Sequence, residues 1–319
     1  MGRASGFFLA CLLPWLPSTS LAQNLAAAEV DLQQGRVHAA LAGATDALAA
    51  NPKDPAAQFL ICRARYQLGQ WQDAVNACRL AVTFDATQAH YHLWLGRSLG
   101  EQAQRAQLLA AYSLAKQVRG EFETAAKLAP QDSAVLSDLG EFYVKAPSLL
   151  GGGTDKARAI AARLGTVDPG QSHWLQSEIA GAKKNYDLAE RELMLAIETS
   201  SNPAQAWMNL ASFYQGRKRL DDMESAVRHG AAADLRSTSA LVDGASPLIA
   251  TSRNTPLAAD LLQRYVNGGH LSEDAPAFIA HIKLAQLLDK LGDTAGAARQ
   301  RAAARALAPE YVEPAPQAH

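Results

Sequence analysis

Charge of one sign, aromatic side chains and long apolar runs are all scarce in this 319-residue sequence. The 30 basic and 31 acidic residues leave a formal charge of −1, so composition gives no indication of a nucleic-acid or anionic-membrane partner. No stretch beyond the N-terminus is long and apolar enough to predict a membrane span. Aromatic residues make up only 7% of a chain that is 48% apolar, and alanine dominates the apolar fraction. Because alanine has the highest helix propensity, this composition predicts closely packed helices.

The first 22 residues have the pattern of a targeting segment. Arg3 precedes a short apolar run, and Ser20 and Ala22 are small residues at the positions that a signal peptidase reads before Gln23. The run is too short to span a bilayer of about 30 Å as a helix. We therefore expect residues 1–22 to be a cleaved signal peptide and the protein to be periplasmic or secreted. A ragged cytosolic N-terminus and a lipoprotein are the alternatives.

Self-similarity at a period of about 34 residues is the main signal in the chain. Segments 204–235 and 278–309 keep the same internal spacing of small and large residues. The small residues let the two helices of a hairpin approach closely, the large ones fill the space between hairpins, and a proline near the end stops the second helix. Further segments keep this spacing less completely: 23–52, 55–86, 89–130, 133–169, 172–202 and the degenerate 237–268.

With these repeats the chain resembles the tetratricopeptide-repeat (TPR) family. The resemblance covers residues 23–310 and implies an all-α fold, a right-handed TPR superhelix or α-solenoid of about eight helical hairpins. Each hairpin is expected to bury its apolar face only against its neighbours. Such a superhelix has a long concave surface that suits an extended peptide or a partner helix. Residues 311–319 are polar and proline-bearing, and we expect a disordered tail.

Two repeats carry extra residues between their helices, near 102–113 and 146–153. The first insertion is rich in Ala, Gln and Leu and is expected to lengthen its helices, whereas the proline and three glycines of the second must interrupt them. We expect Thr154 to cap the helix that follows. The run His90–Arg97 and the Ala-Pro…Gly-Gly-Gly insertion resemble a group of uncharacterised secreted bacterial TPR proteins. That resemblance implies an envelope location and a scaffold role, and it supplies no catalytic residues.

The sequence contains no motif that predicts catalysis or metal binding. It has no H-E-x-x-H, G-x-S-x-G or P-loop pattern, and His90 and His92 are two residues apart, which places them on different faces of a helix. We therefore expect no enzyme activity, no cofactor and no metal, and a scaffold or adaptor that binds a protein or peptide. An enzyme or enzyme-complex subunit with a site formed by the two insertions is the alternative, and a self-assembling structural protein is a third.

Helix A of each repeat is expected to line the concave surface. The candidate peptide-binding residues there are Phe59, Arg63, Tyr66, His90, Arg97, Glu141 and Lys145. Arg63 and Arg97 occupy the same position in adjacent repeats, and arginine presents a fork of donors that suits a carboxylate. The pattern predicts a peptide with an acidic or C-terminal carboxylate anchor. The alternative is that both arginines pair with acids of the groove, such as Glu101. Gln67 holds a further groove position.

Cys62 and Cys78 fall on the facing sides of the two helices of one repeat. An oxidising compartment permits a disulfide between them, but the bond requires Cα atoms within about 7 Å of each other. Because paired helices rarely approach so closely at these positions, we expect two small, buried, unreactive thiols.

Overall fold

The structure, a computed structural model, describes the backbone of residues 18–312 and the side chains of residues 23–312. Within this range sixteen α-helices follow one another in hairpins, and the described residues contain no strand beyond one isolated bridge. The helices are α1 Ser18–Gln33, α2 Val37–Ala50, α3 Pro55–Gln67, α4 Trp71–Phe84, α5 Ala89–Arg105, α6 Leu108–Leu128, α7 Ser133–Lys145, α8 Thr154–Val167, α9 Pro169–Ala182, α10 Tyr186–Thr199, α11 Pro203–Gly216, α12 Leu220–Ala233, α13 Ala240–Ala250, α14 Thr255–Asn267, α15 Ala277–Lys290 and α16 Thr294–Leu307. The predicted all-α array of about eight hairpins is confirmed.

Several hairpins begin at an aspartate or asparagine that caps their first helix. Asp54 accepts hydrogen bonds from the N–H groups of Ala56 and Ala57, and Pro55, which follows Asp54, is the first residue of α3. Equivalent caps start α7, α9 and α11. These side chains satisfy N–H groups that have no partner within the helix, so the repeat boundaries are encoded locally.

Small residues bring the two helices of a hairpin into direct contact. A Cβ added at Gly96 of α5 would lie 2.4 Å from the Phe122 ring of α6. Cys62 holds the equivalent position in α3, and its sulfur is bonded to that of Cys78 in α4, with the two Cα atoms 5.1 Å apart. The expectation of two free thiols is therefore wrong. Fully buried alanines around the pair, such as Ala74, let α3 and α4 approach to disulfide distance.

The two insertions take different forms. The first lengthens its hairpin, since α5 and α6 have 17 and 21 residues against 13 and 14 in α3 and α4. The second ends α7 and forms a short 3₁₀ helix, Ser148–Leu150, before α8. Gly152 is required here because a Cβ would lie 1.8 Å from the Ala146 carbonyl oxygen. The expectation that Thr154 caps the next helix is wrong, because α8 starts at this residue and the cap position falls on Gly153.

The first and last hairpins pack against each other. Leu32, Val37 and Leu60 from the N-terminal hairpins share one buried cluster with Phe278 of α15 and Ala304 of α16. We call these five residues the closure cluster. The expectation that each hairpin contacts only its neighbours is wrong at the two ends, because the curvature accumulated along the array returns α15 to α3.

The ends of the described range bear on two other expectations. Most of the expected signal peptide, 1–22, lies outside the described residues, and among the described side chains of α1, Leu25 and Ala28 reach the core. Tyr311, which falls in the expected disordered tail, packs against Phe278 with ring centroids 4.9 Å apart, and residues 313–319 lie outside the described range. No helix of the described range has the length and apolar character that crossing a membrane requires.

Candidate ligand-binding cavity

Closure of the array turns part of the concave surface into a cavity of about 870 Å³. Helices α3 to α7 supply one side, and residues 273–279, which lead into and begin α15, supply the other. Both insertions reach the cavity, the first through Gln104 and the second through Leu150. The groove and the insertions, which the sequence offered as separate candidate surfaces, therefore contribute to one site.

Four of the seven candidate residues line this cavity: Tyr66, Arg97, Glu141 and Lys145. The other three do not. Phe59 packs against Tyr91 with ring centroids 4.6 Å apart. His90 is exposed, and its Nε2 lies 3.0 Å from a carboxylate oxygen of Asp132. Arg63 is buried and is not among the residues that line the cavity.

Arg63 joins the two ends of the array. Its side chain is 7% exposed, and its Nε donates to Glu273 over 2.8 Å while its Nη1 donates to Glu29 over 2.9 Å. Burial opposes the positive charge, but the hydrogen bonds and attraction of the two carboxylates outweigh it and raise the pKa of Arg63. The guanidinium therefore serves closure and is not presented to a ligand.

Arg97 is also paired within the chain. Its Nε and Nη2 donate to the two carboxylate oxygens of Asp138 over 2.6 and 3.2 Å, and its guanidinium lies 5.0 Å from the centre of a Trp94 ring. Burial opposes this charge too, but Asp138 outweighs it and raises the pKa of Arg97. Both candidate arginines thus bind acids of the protein, although Glu101 pairs instead with Arg105 over 2.7 Å. The expected carboxylate anchor would have to displace these acids, so the geometry does not support it.

Aromatic rings form one wall of the cavity. The Tyr66 ring meets Trp71 and Trp94 edge to face, with centroids 5.1 and 5.2 Å apart. Burial, together with the charge of Glu101, raises the pKa of Tyr66 to about 12, so its hydroxyl stays protonated at neutral pH. The wall thus offers a rigid apolar surface beside a hydrogen-bond donor.

Carboxylates outnumber cations around the cavity. The acidic lining residues are Glu101, Asp138, Glu141, Glu273 and Asp274, and the basic ones are Arg97 and Lys145. Lys145 is bonded to Glu141. Asp274 is exposed, and its carboxylate accepts no hydrogen bond from the described residues. Its charge still acts on its surroundings, since the pKa of Asp243, raised mainly by burial, is raised further by Asp274. Glu101 and Glu273 bind Arg105 and Arg63, so Asp274 is the lining carboxylate that has no cation paired to it among the described residues.

Gln67 lines the same cavity with an unpaired amide. It is 8% exposed, and neither its amide nitrogen nor its amide oxygen has a hydrogen-bond partner in the described part of the chain. Buried amides are almost always paired, so this side chain is a candidate contact for a ligand, although both amide atoms are shielded from solvent in this structure. The repeat register predicts a groove position for Gln67, but it carries no signal that residues 273–279 enclose it. No group of three or more His, Cys, Asp or Glu side chains among the described residues could hold a metal ion.

A family match and one solved structure support the fold. Residues 31–96 match the tetratricopeptide repeat family. A thermophilic TPR protein of Thermus thermophilus is similar with a TM-score of 0.51 at 20% identity, over 60% of this chain and 98% of its own. A tetratricopeptide repeat protein of Parabacteroides merdae has a TM-score of 0.48 at 13% identity, over 85% of this chain and 98% of its own. No curated protein matches the chain. The predicted TPR solenoid is confirmed.

Proposed function

We propose that this tetratricopeptide-repeat protein is a non-catalytic scaffold or adaptor that holds a segment of a partner protein in its concave cavity. The observation that carries the proposal is the unpaired amide of Gln67 beside a cavity of about 870 Å³. A partner segment would cover the aromatic wall of Tyr66, Trp71 and Trp94. It would supply the missing hydrogen bonds after the shielded Gln67 amide turns toward the cavity. Pockets of this size, largely apolar with a few convergent polar groups, suit a small ligand or a few residues of a peptide.

The proposal places the protein in the bacterial cell envelope. Support comes from the signal-like pattern of residues 1–22 and from the disulfide between Cys62 and Cys78, because disulfides persist in oxidising compartments. Mass spectrometry of the protein from its native host is expected to show an N-terminus at Gln23. An intact Met1 in a cytosolic fraction would contradict this location.

Site-specific photocrosslinking in native cells tests the binding site. A photoreactive phenylalanine replaces Gln104, which is exposed and lines the cavity, and in a matched variant it replaces Leu80, which is 42% exposed and lies outside the cavity lining. We expect a discrete crosslinked partner from position 104 and none of the same mass from position 80. Equal adducts from both positions, or none from position 104, would count against the cavity as the binding site.

A further inference from the structure

The cavity region already binds three guanidinium groups of the protein itself, each with the same two kinds of partner. Arg63, Arg97 and Arg105 each lie over an aromatic ring, with their guanidinium carbons 5.0, 5.0 and 4.7 Å from the nearest ring centres, and each binds a carboxylate. A cation placed over an aromatic face beside an acid gains both ring and ion-pair attraction. This surface is therefore chemically suited to basic side chains.

One carboxylate and one amide are left over from this arrangement. Asp274 lines the cavity without a partner among the described residues, and Gln67 contributes an amide whose oxygen and nitrogen are both unpaired. The two cationic lining residues, Arg97 and Lys145, are occupied by Asp138 and Glu141. An anionic ligand would meet surplus negative charge, whereas a cation would neutralise it.

We infer that the cavity binds a lysine or arginine side chain of the partner segment, with Asp274 as its counter-charge and the amide oxygen of Gln67, turned toward the cavity on binding, as a hydrogen-bond acceptor. This inference rests on the proposed function and specifies the chemistry of the partner. The aromatic wall of Tyr66, Trp71 and Trp94 holds the aliphatic part of that side chain. A basic side chain thus takes the place of the carboxylate anchor that the groove arginines suggested.

The test begins with selection from a library of random 12-residue peptides displayed on phage, using the purified protein with its disulfide intact. We expect the selected peptides to be enriched in lysine or arginine relative to the unselected library. The best peptide is then synthesised, and its Kd is measured by fluorescence anisotropy at a fixed, near-physiological salt concentration. A second peptide replaces its basic residue with norleucine, which keeps the aliphatic chain and removes the charge.

Two protein variants separate the cavity from general acidity. Asp274→Asn removes the unpaired cavity charge, and Asp155→Asn removes one charge from a side chain that is 90% exposed on α8. We expect D274N to weaken binding of the basic peptide about fivefold, near the upper limit for an ion pair with an exposed carboxylate, and D155N to change it less than about twofold. The norleucine peptide is expected to bind wild type and D274N equally. Norleucine and D274N each remove one partner of the same ion pair, so the second change has nothing further to remove.

The outcomes distinguish the two levels of the proposal. If no peptide is enriched on the wild-type protein, the proposed peptide-binding function fails together with this inference. If acidic or purely apolar peptides are enriched, the function stands and the basic side chain is excluded. If basic peptides are enriched but D274N and D155N behave alike, binding depends on overall acidity and the assignment to the cavity is overturned.

Discussion

Replacing Gln67 with methionine is expected to stabilise the protein while weakening ligand binding. Methionine has nearly the shape of glutamine but no amide, so it removes two buried polar atoms that have no partner in the described chain. Leaving a buried polar group unpaired costs roughly 1–3 kcal/mol. We therefore expect Q67M to raise the free energy of unfolding by about 2 kcal/mol, which corresponds to a melting temperature higher by roughly 4–8 °C.

Urea unfolding and thermal melting, each followed by circular dichroism, measure the stability of Q67M and of a matched control, Gln33→Met. Gln33 is exposed at the end of α1, so its replacement is expected to change stability by no more than about 0.5 kcal/mol. Binding of the selected basic peptide is expected to weaken only for Q67M. A Q67M protein that is no more stable than wild type would show that the amide is not an unpaired group. A stabilised Q67M that binds as tightly as wild type would remove Gln67 from the site.

Three further predictions concern other parts of the fold. Arg63→Met is expected to lower the free energy of unfolding by about 3 kcal/mol, because it leaves two carboxylates without their shared cation. A free energy of unfolding, measured with urea, within about 1 kcal/mol of the wild-type value would contradict the closing role of Arg63. His92 Nδ1 lies 2.6 Å from Glu121, and the hydrogen bond between them raises the pKa of His92. The contribution of this pair to the stability of the protein is therefore fully present below about pH 6.5 and is lost as pH rises through the higher pKa of the folded state. The difference in the free energy of unfolding between wild type and H92Q, measured with urea, is expected to shrink from about pH 6 to about pH 9. A difference that stays constant would refute the ion pair. The E121Q variant is expected to lose this pH dependence. Thiol titration of the unfolded, unreduced protein is expected to find neither Cys62 nor Cys78 free, and replacing both with alanine is expected to cost about 3 kcal/mol of stability; two free thiols would exclude the disulfide.

The sequence predicts what depends on local patterns. The spacing of small and large residues predicts the hairpins, and the extra Ala, Gln and Leu residues predict the longer α5 and α6, because helix formation and pairing of adjacent helices depend on nearby residues. The groove register also places Tyr66 and Arg97 on the concave side, where the structure has them lining the cavity.

Features that depend on accumulated geometry were not predictable. Arg63 and Glu273 are 210 residues apart, and their contact follows from small rotations summed over the intervening hairpins. In the sequence Arg63 therefore has the pattern of a ligand-binding groove residue, whereas in the structure it forms the ion pair that holds the two ends of the array together. The Cys62–Cys78 bond depends on the separation of two helix axes, which the alanines around the cysteines set jointly and no single residue reveals.

Closure also restricts how this array can change in length. In an open solenoid a hairpin can be added or deleted with a roughly additive effect on stability, since each unit meets only its neighbours. Here, removing one internal hairpin would displace α15 from α3, so that Phe278 would miss the closure cluster and Glu273 would miss Arg63. The number of hairpins is thus a fixed property of the molecule, and related proteins that keep these contacts should keep the same number, with length varying only in loops such as the two insertions.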